Sequence, residues 1–156
     1  MVIGIISDTH RYVYSIEKIM KKMNDVDMII HLGDNVEDVI EIKKYFKRKI
    51  IYVKGNCDFY SEVPNDIIET IEGKKFLITH GHRYEVKYNI DKLKERAHEL
   101  GVDIVLYGHT HVSLITYEDG IWFVNPGSPS ISRDGFNSVA IIEIKNGKIN
   151  PGIRAV

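Results

Sequence analysis

The chain carries one cysteine, Cys57, no glutamine and only four prolines in 156 residues. A single thiol cannot close an internal disulfide, which excludes the disulfide-stapled secreted scaffolds and gives no pointer to an oxidising compartment. Neither sign of charge is in surplus: 21 Lys and Arg stand against 22 Asp and Glu, a net charge of −1. The broad basic field needed for general nucleic-acid or membrane-surface binding is therefore missing. Apolar runs extend over a few residues each, far below the ~18 needed to span a bilayer. The run Val2–Ile6 has no basic start and is cut short by Asp8, so it does not read as a signal peptide. No linker, repeat or low-complexity tract divides the chain. These absences leave a cytoplasmic protein as the expectation, built as one compact domain over residues 1–156 around a single core.

Short apolar runs alternate with amphipathic stretches through the first half of the sequence. Val2–Ser7, Met28–Leu32 and Ile50–Lys54 read as buried strands. Between them lie two helices: Val13–Met23, with Val13, Ile16, Ile19, Met20 and Met23 on one face, and Val36–Phe46, with Val39, Ile40, Ile42 and Phe46 as its apolar side. Strand, helix, strand, helix, strand with short links implies crossovers and a parallel sheet. Asp66–Ile71 and Lys75–Thr79 flank the turn Glu72-Gly73-Lys74 as a hairpin, and a third helix over Ile90–Leu100 stops at Gly101 before the strand Asp103–Tyr107. The last third reads as all-β: His111–Tyr117, Ile121–Val124, Ser138–Ile144 and Lys148–Ile153, with Asn146-Gly147 as a strong hairpin turn. Pro64, Pro126, Pro129 and Pro151 are each expected in turns or connections. The pattern predicts two packed sheets with helices outside them.

Function is most legible just past the strands. The first delivers Asp8 and His10, the second Asp34, the third Asn56, the strand ending at Thr79 delivers His80, and the strand ending at Tyr107 delivers His109 and His111. Five strands thus end in side chains with oxygen or imidazole nitrogen donors, and loops at the carboxyl ends of parallel strands converge on one crevice. Gly33, Gly55 and Gly108 stand directly before three of these donors, as crowded loops require. Four imidazoles are poor partners for Mg or Ca and suit Mn, Fe, Co, Ni or Zn. Seven donors exceed what one ion takes from protein while keeping an open position, and are enough for two ions if a carboxylate bridges. Two divalent ions against Asp8 and Asp34 leave about +2 by formal counting, which attracts hydroxide and phosphate esters.

In order and spacing, Asp8-Thr9-His10, Gly33-Asp34, Gly55-Asn56, His80-Gly81-His82 and Gly108-His109-Thr110-His111 resemble the motifs of the calcineurin-like metallophosphoesterases. Gly55-Asn56-Cys57-Asp58, Asn125-Pro126-Gly127-Ser128 and the small size resemble more narrowly the bacterial and archaeal phosphodiesterase branch, to which the retromer subunit vacuolar sorting protein 29 is related. The resemblance implies a four-layer α/β/β/α sandwich of two mixed sheets with flanking helices. It implies two divalent transition-metal ions, Mn or Ni ahead of Co, Fe or Zn, with Asp8, His10 and His111 on one, Asn56, His80 and His109 on the other, and Asp34 bridging. Asp34, Asn56, His80 and His109 are the expected catalytic set.

The implied reaction is hydrolysis of a small phosphodiester by a metal-bridging hydroxide. A phosphomonoesterase of the same fold and a retromer-like protein-binding scaffold are the alternatives. No extended nucleic-acid surface and no membrane partner are expected, while a symmetric homo-oligomer stays open. One position departs from the family: its commoner motif has His where this chain has Cys57, and that His serves the leaving group. Asp58, which would orient such a His, is left without that task.

Other polar residues have plainer readings. His98 reads as a wet helix residue, His31 as a structural neighbour of Asp34, and His82 as support for the ligand set. Arg83 and Tyr84 stand where they could face substrate. Lys43, Lys44, Lys47, Arg48 and Lys49 read as complement to the C-terminal dipole of the second helix rather than as a nucleic-acid patch.

Overall fold

The computed structural model describes residues 1–156, the side chain of Val13 excepted, so the placement of Val13 on an apolar helix face lies outside the described residues. The order is β1 (Val2–Ile6), α1 (Val13–Lys22), β2 (Met28–His31), α2 (Asp38–Tyr45), β3 (Ile50–Tyr52), β4 (Asp66–Ile71), β5 (Lys74–Thr79), α3 (Asp91–Leu100), β6 (Ile104–Leu106), β7 (Ser113–Glu118), β8 (Ile121–Pro126), β9 (Ser138–Lys145) and β10 (Lys148–Ala155). Two five-stranded mixed sheets result, ordered β10-β9-β1-β2-β3 and β4-β5-β6-β8-β7.

Each central strand is apolar on both faces, and alternation assigns every side chain a layer. Ile3, Ile5, Ile30 and Ile142 of one sheet meet Phe76, Ile78, Ile104, Leu106 and Val124 of the other in the middle of the sandwich. Ile6, Ile29 and Val139 point outward, under Ile16, Ile19 and Met23 of α1 and Ile42 of α2. On the far side Leu77, Val105 and Phe123 lie under Leu93 and Ala97 of α3. The expected α/β/β/α layering is thereby present, with a buried Ile contributing about 1.5–3 kcal/mol by removal from water.

Parallel pairing of β1 with β2 and of β2 with β3 follows the expected pattern, as does the antiparallel β4–β5 hairpin. The C-terminal third is divided between the sheets. β8 lies parallel to β6, whereas β9 lies antiparallel to β1 with Val2 opposite Glu143.

Three local expectations are corrected. Pro126 is the last residue of β8, opposite Ser113, and Pro151 is inside β10, opposite Ile142, where an edge strand has no ladder hydrogen bond to lose on its outer side. Ile40 is exposed, because at about 3.6 residues per turn it falls nearly opposite Ile42 on α2, while Val39 and Ile42 share the side that faces the core. The strand expected from His111 begins at Ser113, since His111 has a φ of 59° that no β-strand accommodates. The basic cluster is spent locally: Lys43 and Lys44 occupy the last turn of α2, Lys47 Nζ donates to Lys43 O, and Lys49 pairs with Glu69. Among the described residues no helix is long and apolar enough to cross a membrane.

Candidate metal centre

The carboxyl ends of the parallel strands from both sheets meet at one edge of the sandwich. There the loops bond to one another: Asp8 N–H donates to Gly33 O, Gly108 N–H to His80 O, and His109 N–H across to Asp8 Oδ2 at 3.0 Å. Five of the seven sequence-selected donors sit in left-handed backbone, with φ of 57° at Asp8, 47° at His10, 57° at Asp34, 68° at His109 and 59° at His111. Each costs of the order of 1–2 kcal/mol for a side chain with a Cβ, and such strain persists only where surroundings over-determine it.

All seven donors come together. Asp8, His10, Asp34 and His111 form one group whose candidate ligand atoms lie within 4.8 Å of one another, and Asp34, His80 and His109 form a second. Asp34 belongs to both. Its Oδ2 stands 3.8 Å from His10 Nε2 and 3.4 Å from His80 Nε2. Asn56 Oδ1 joins the second group, 3.1 Å from His80 Nε2, which is itself 3.2 Å from His109 Nδ1.

The tautomers follow from the outer contacts. His80 Nδ1 donates to Leu32 O and His111 Nδ1 to Ile131 O, each at 2.8 Å. Neutral rings held this way aim the Nε2 lone pair inward, the arrangement of imidazoles that bind cations. His111 Nε2 then faces Asp8 Oδ1 at 3.1 Å. Lone pair against lone pair at that range requires a proton or a cation between them.

Asp8 is fully buried, and its Oδ1 has no hydrogen-bond donor, while Oδ2 takes Ser7 Oγ at 2.6 Å and His109 N–H. An orphaned buried carboxylate oxygen among imidazole lone pairs is what a divalent metal fits, and the nitrogen-rich donor set suits a transition metal.

The electrostatics of the protein alone agree. Burial raises the Asp34 carboxyl, but the hydrogen bond and charge of His80 outweigh it and hold Asp34 well below the usual carboxylate range. Burial pulls His80 down, yet Asp34 and Asp8 bring it above an ordinary imidazole, and the Asp8 contact raises His111. Burial, then the neighbouring His80, push His109 down to about 4. Burial and Asp34 push the Cys57 thiol up to about 11.

The remaining residues are placed differently from one another. His31 is buried, accepting Gly33 N–H at Nδ1 and facing Thr9 Oγ1 at 3.2 Å through Nε2, so it braces the two loops that carry His10 and Asp34. His98 lies exposed near Asp119. His82 packs against His80 and His109, ring centroids 5.4 and 6.0 Å away, with its buried Nδ1 unbonded. Arg83 and Tyr84 do not face the centre: both turn to Asp66, at 3.5 and 3.0 Å. Asp58 spends both oxygens on backbone N–H groups. Sequence reasoning missed Ser130 and singled out Asn125 and Ser128 as part of a motif without a contact for either; the Ser128 and Ser130 hydroxyls donate to Asp8 O and Thr9 O. Asn125 Nδ2 in fact donates to Gly108 O, fixing the loop of His109. Only the short polar run Asn125–Ser130 hinted at them.

Known proteins are consistent with this geometry. Residues 1–147 match the calcineurin-like phosphoesterase superfamily domain. The probable metallophosphoesterase YsnB of Bacillus subtilis is 34% identical over 146 residues, 91% of this chain and 83% of its own. The phosphodiesterase MJ0936 of Methanocaldococcus jannaschii is 32% identical over 162 residues, 92% of this chain and 93% of its own. The zinc complex of Vps29 from Entamoeba histolytica shares the fold, with a TM-score of 0.79, 21% identity and 99% of each chain covered. With the family pattern spread over nearly its whole length, the chain belongs to the calcineurin-like phosphoesterase superfamily.

Proposed function

We propose that the protein is a metal-dependent phosphodiesterase that holds two divalent transition-metal ions, Mn or Ni ahead of Co, Fe or Zn, and hydrolyses a small diester. The observation that carries this reading is the membership of Asp34 in both donor groups. Asp8, His10 and His111 would hold one ion, Asn56, His80 and His109 the other, and Asp34 would lie between them. Such a pair, when bound, lowers the pKa of water to give a hydroxide nucleophile for in-line attack on phosphorus and neutralises charge on the ester oxygens.

The chain's own contribution is placement. Leu32 O and Ile131 O fix the rings of His80 and His111, so these donors need no reorganisation when the ions enter. The buried floor formed by Asp8 and His80 excludes water and strengthens every interaction above it. Cys57 leaves the leaving group without an imidazole, which favours esters whose leaving groups depart readily as anions. The resemblance to a relative named phosphodiesterase along nearly its full length supports a diester over a monoester. The single free cysteine fits a reducing compartment, the cytoplasm.

The test is reconstitution of metal-stripped protein with Mn, Ni, Co, Zn or Mg in turn, followed by assay on bis(aryl) and mono(aryl) phosphates. Diester turnover, greatest with Mn or Ni, is expected. Hydrolysis of the monoester alone would overturn the diester assignment. Folded protein inactive with every metal would leave a protein-binding scaffold, as its likeness in fold to Vps29 allows.

A further inference from the structure

We propose that Asp58 is a positioning residue: its carboxylate clamps the loop of Asp34 to the loop of Asn56 and thereby sets the spacing of the two ion positions. The inference rests on the two-ion reading above. Four backbone N–H groups converge on this one side chain. Oδ1 accepts Asn35 N–H and Val36 N–H, both at 3.0 Å. Oδ2 accepts Asp34 N–H at 3.0 Å and Gly55 N–H at 2.8 Å. Three of the donors belong to the loop after β2 and one to the loop after β3, so the carboxylate joins segments about twenty residues apart. Asp58 is 9% exposed, which keeps water from competing for these bonds.

The two loops also interlock. A Cβ on Gly33 would strike Gly55 N, and one on Gly55 would strike Asp34 Oδ1. Cys57 N–H closes the same arrangement from the other side, donating to Asp34 Oδ1 at 2.9 Å and leaving Oδ2 turned toward His10 and His80. The Asp34 N–H and carboxylate are therefore held by bonds to the 55–58 turn, while its carbonyl accepts from His10 N–H and Thr9 Oγ1, and Asp58 is the acceptor that holds that turn in place. This work is independent of the side chain at position 57. The carboxylate would be needed equally with Cys or with His there.

Asp58→Asn keeps the size but replaces one acceptor oxygen by a donor amide facing N–H groups, so the loops separate at the face they share. Titration of the metal-free protein with Mn by calorimetry reads the consequence without any turnover. Wild type is expected to bind two ions. Asp58→Asn is expected to bind the first nearly normally and the second, on Asn56, His80 and His109, about 10- to 100-fold more weakly, as loss of a group orienting metal ligands does. Diester kcat should fall at low Mn and recover in excess Mn. Asp103→Asn, which removes the bond from Lys75 N–H to Asp103, serves as a control for general loosening and should leave both binding steps unchanged.

Two equal wild-type steps in Asp58→Asn would overturn the clamp, as would equal weakening in Asp58→Asn and Asp103→Asn. Wild type that binds no Mn would instead overturn the two-ion reading. Should Asp58→Asn not fold, amide hydrogen exchange in wild type decides. Protection of the Asp34, Asn35, Val36 and Gly55 amides supports the clamp, and free exchange at these four overturns it.

Discussion

The middle of the sandwich and its carboxyl edge are built on opposite terms. Between the sheets, Ile3, Ile30, Phe76 and Leu106 follow strand alternation and are fully buried. At the edge, Asp8, His10, Asp34, His109 and His111 adopt left-handed backbone, and buried polar groups crowd one another. The first region satisfies every local preference of its residues; the second violates several and is held by what surrounds it. The difference teaches where stability and function reside. The interior contributes the free energy, and the edge spends part of it on a strained donor array that a proton or a cation completes.

A substitution in each region should separate the two roles. His109→Ala is expected to lower metal-dependent turnover by more than about 10³-fold, because a bound metal supplies several kcal/mol of charge stabilisation. Its unfolding midpoint in urea should stay close to wild type, and retained turnover would remove His109 from the ligand set. Phe76→Ala should do the reverse. It is expected to cost about 3–5 kcal/mol in chemical unfolding while the folded fraction keeps its turnover per molecule.

His31 lies on the border between the regions and sharpens the comparison through pH. Burial pushes its imidazole from 6.5 down to about 4. Between those values the unfolded chain binds a proton that the native protein excludes. Its contribution is thus complete above about pH 6.5 and is lost as pH falls toward 4, by about 3 kcal/mol in all. His31→Gln, followed by urea unfolding of metal-free protein from pH 7 to 4, should flatten that part of the profile. An unchanged slope would show that His31 does not titrate in this way.

The smallest effect concerns leaving groups. Cys57→His is expected to raise turnover of diesters with poor leaving groups about tenfold, less than the ~10²–10⁴-fold of a positioned general acid because the site is not built around it. Bis(aryl) phosphates with good leaving groups should change little. Equal rates for both classes would move residue 57 away from the leaving group.

Much of the site was readable because its grammar is linear. A donor directly after an apolar run lies at a strand's carboxyl end, and five such runs predicted one crevice. Asp58 was not readable in this way, because its partners at 34–36 are distant in sequence and are backbone groups that carry no residue signature. Nor was Ser130, or the contact that Ser128 makes from within its motif, since these hydroxyls reach Thr9 O and Asp8 O across the fold. Arg83 and Tyr84 misled for the opposite reason: adjacency to His82 placed them near the centre in sequence, but Asp66 draws both side chains away.

The order of elements, the layer of most apolar residues and the list of candidate cation-binding side chains were set by the sequence itself, since helical and strand periodicity are properties of consecutive residues. Strand order was decided in three dimensions, where β9 inserts beside β1 and β8 beside β6 although neither pairing has a local signal. The sharing of Asp34 between two donor groups was decided there as well, because convergence depends on loops from both sheets meeting at one edge, and loop positions follow from packing rather than from residue type.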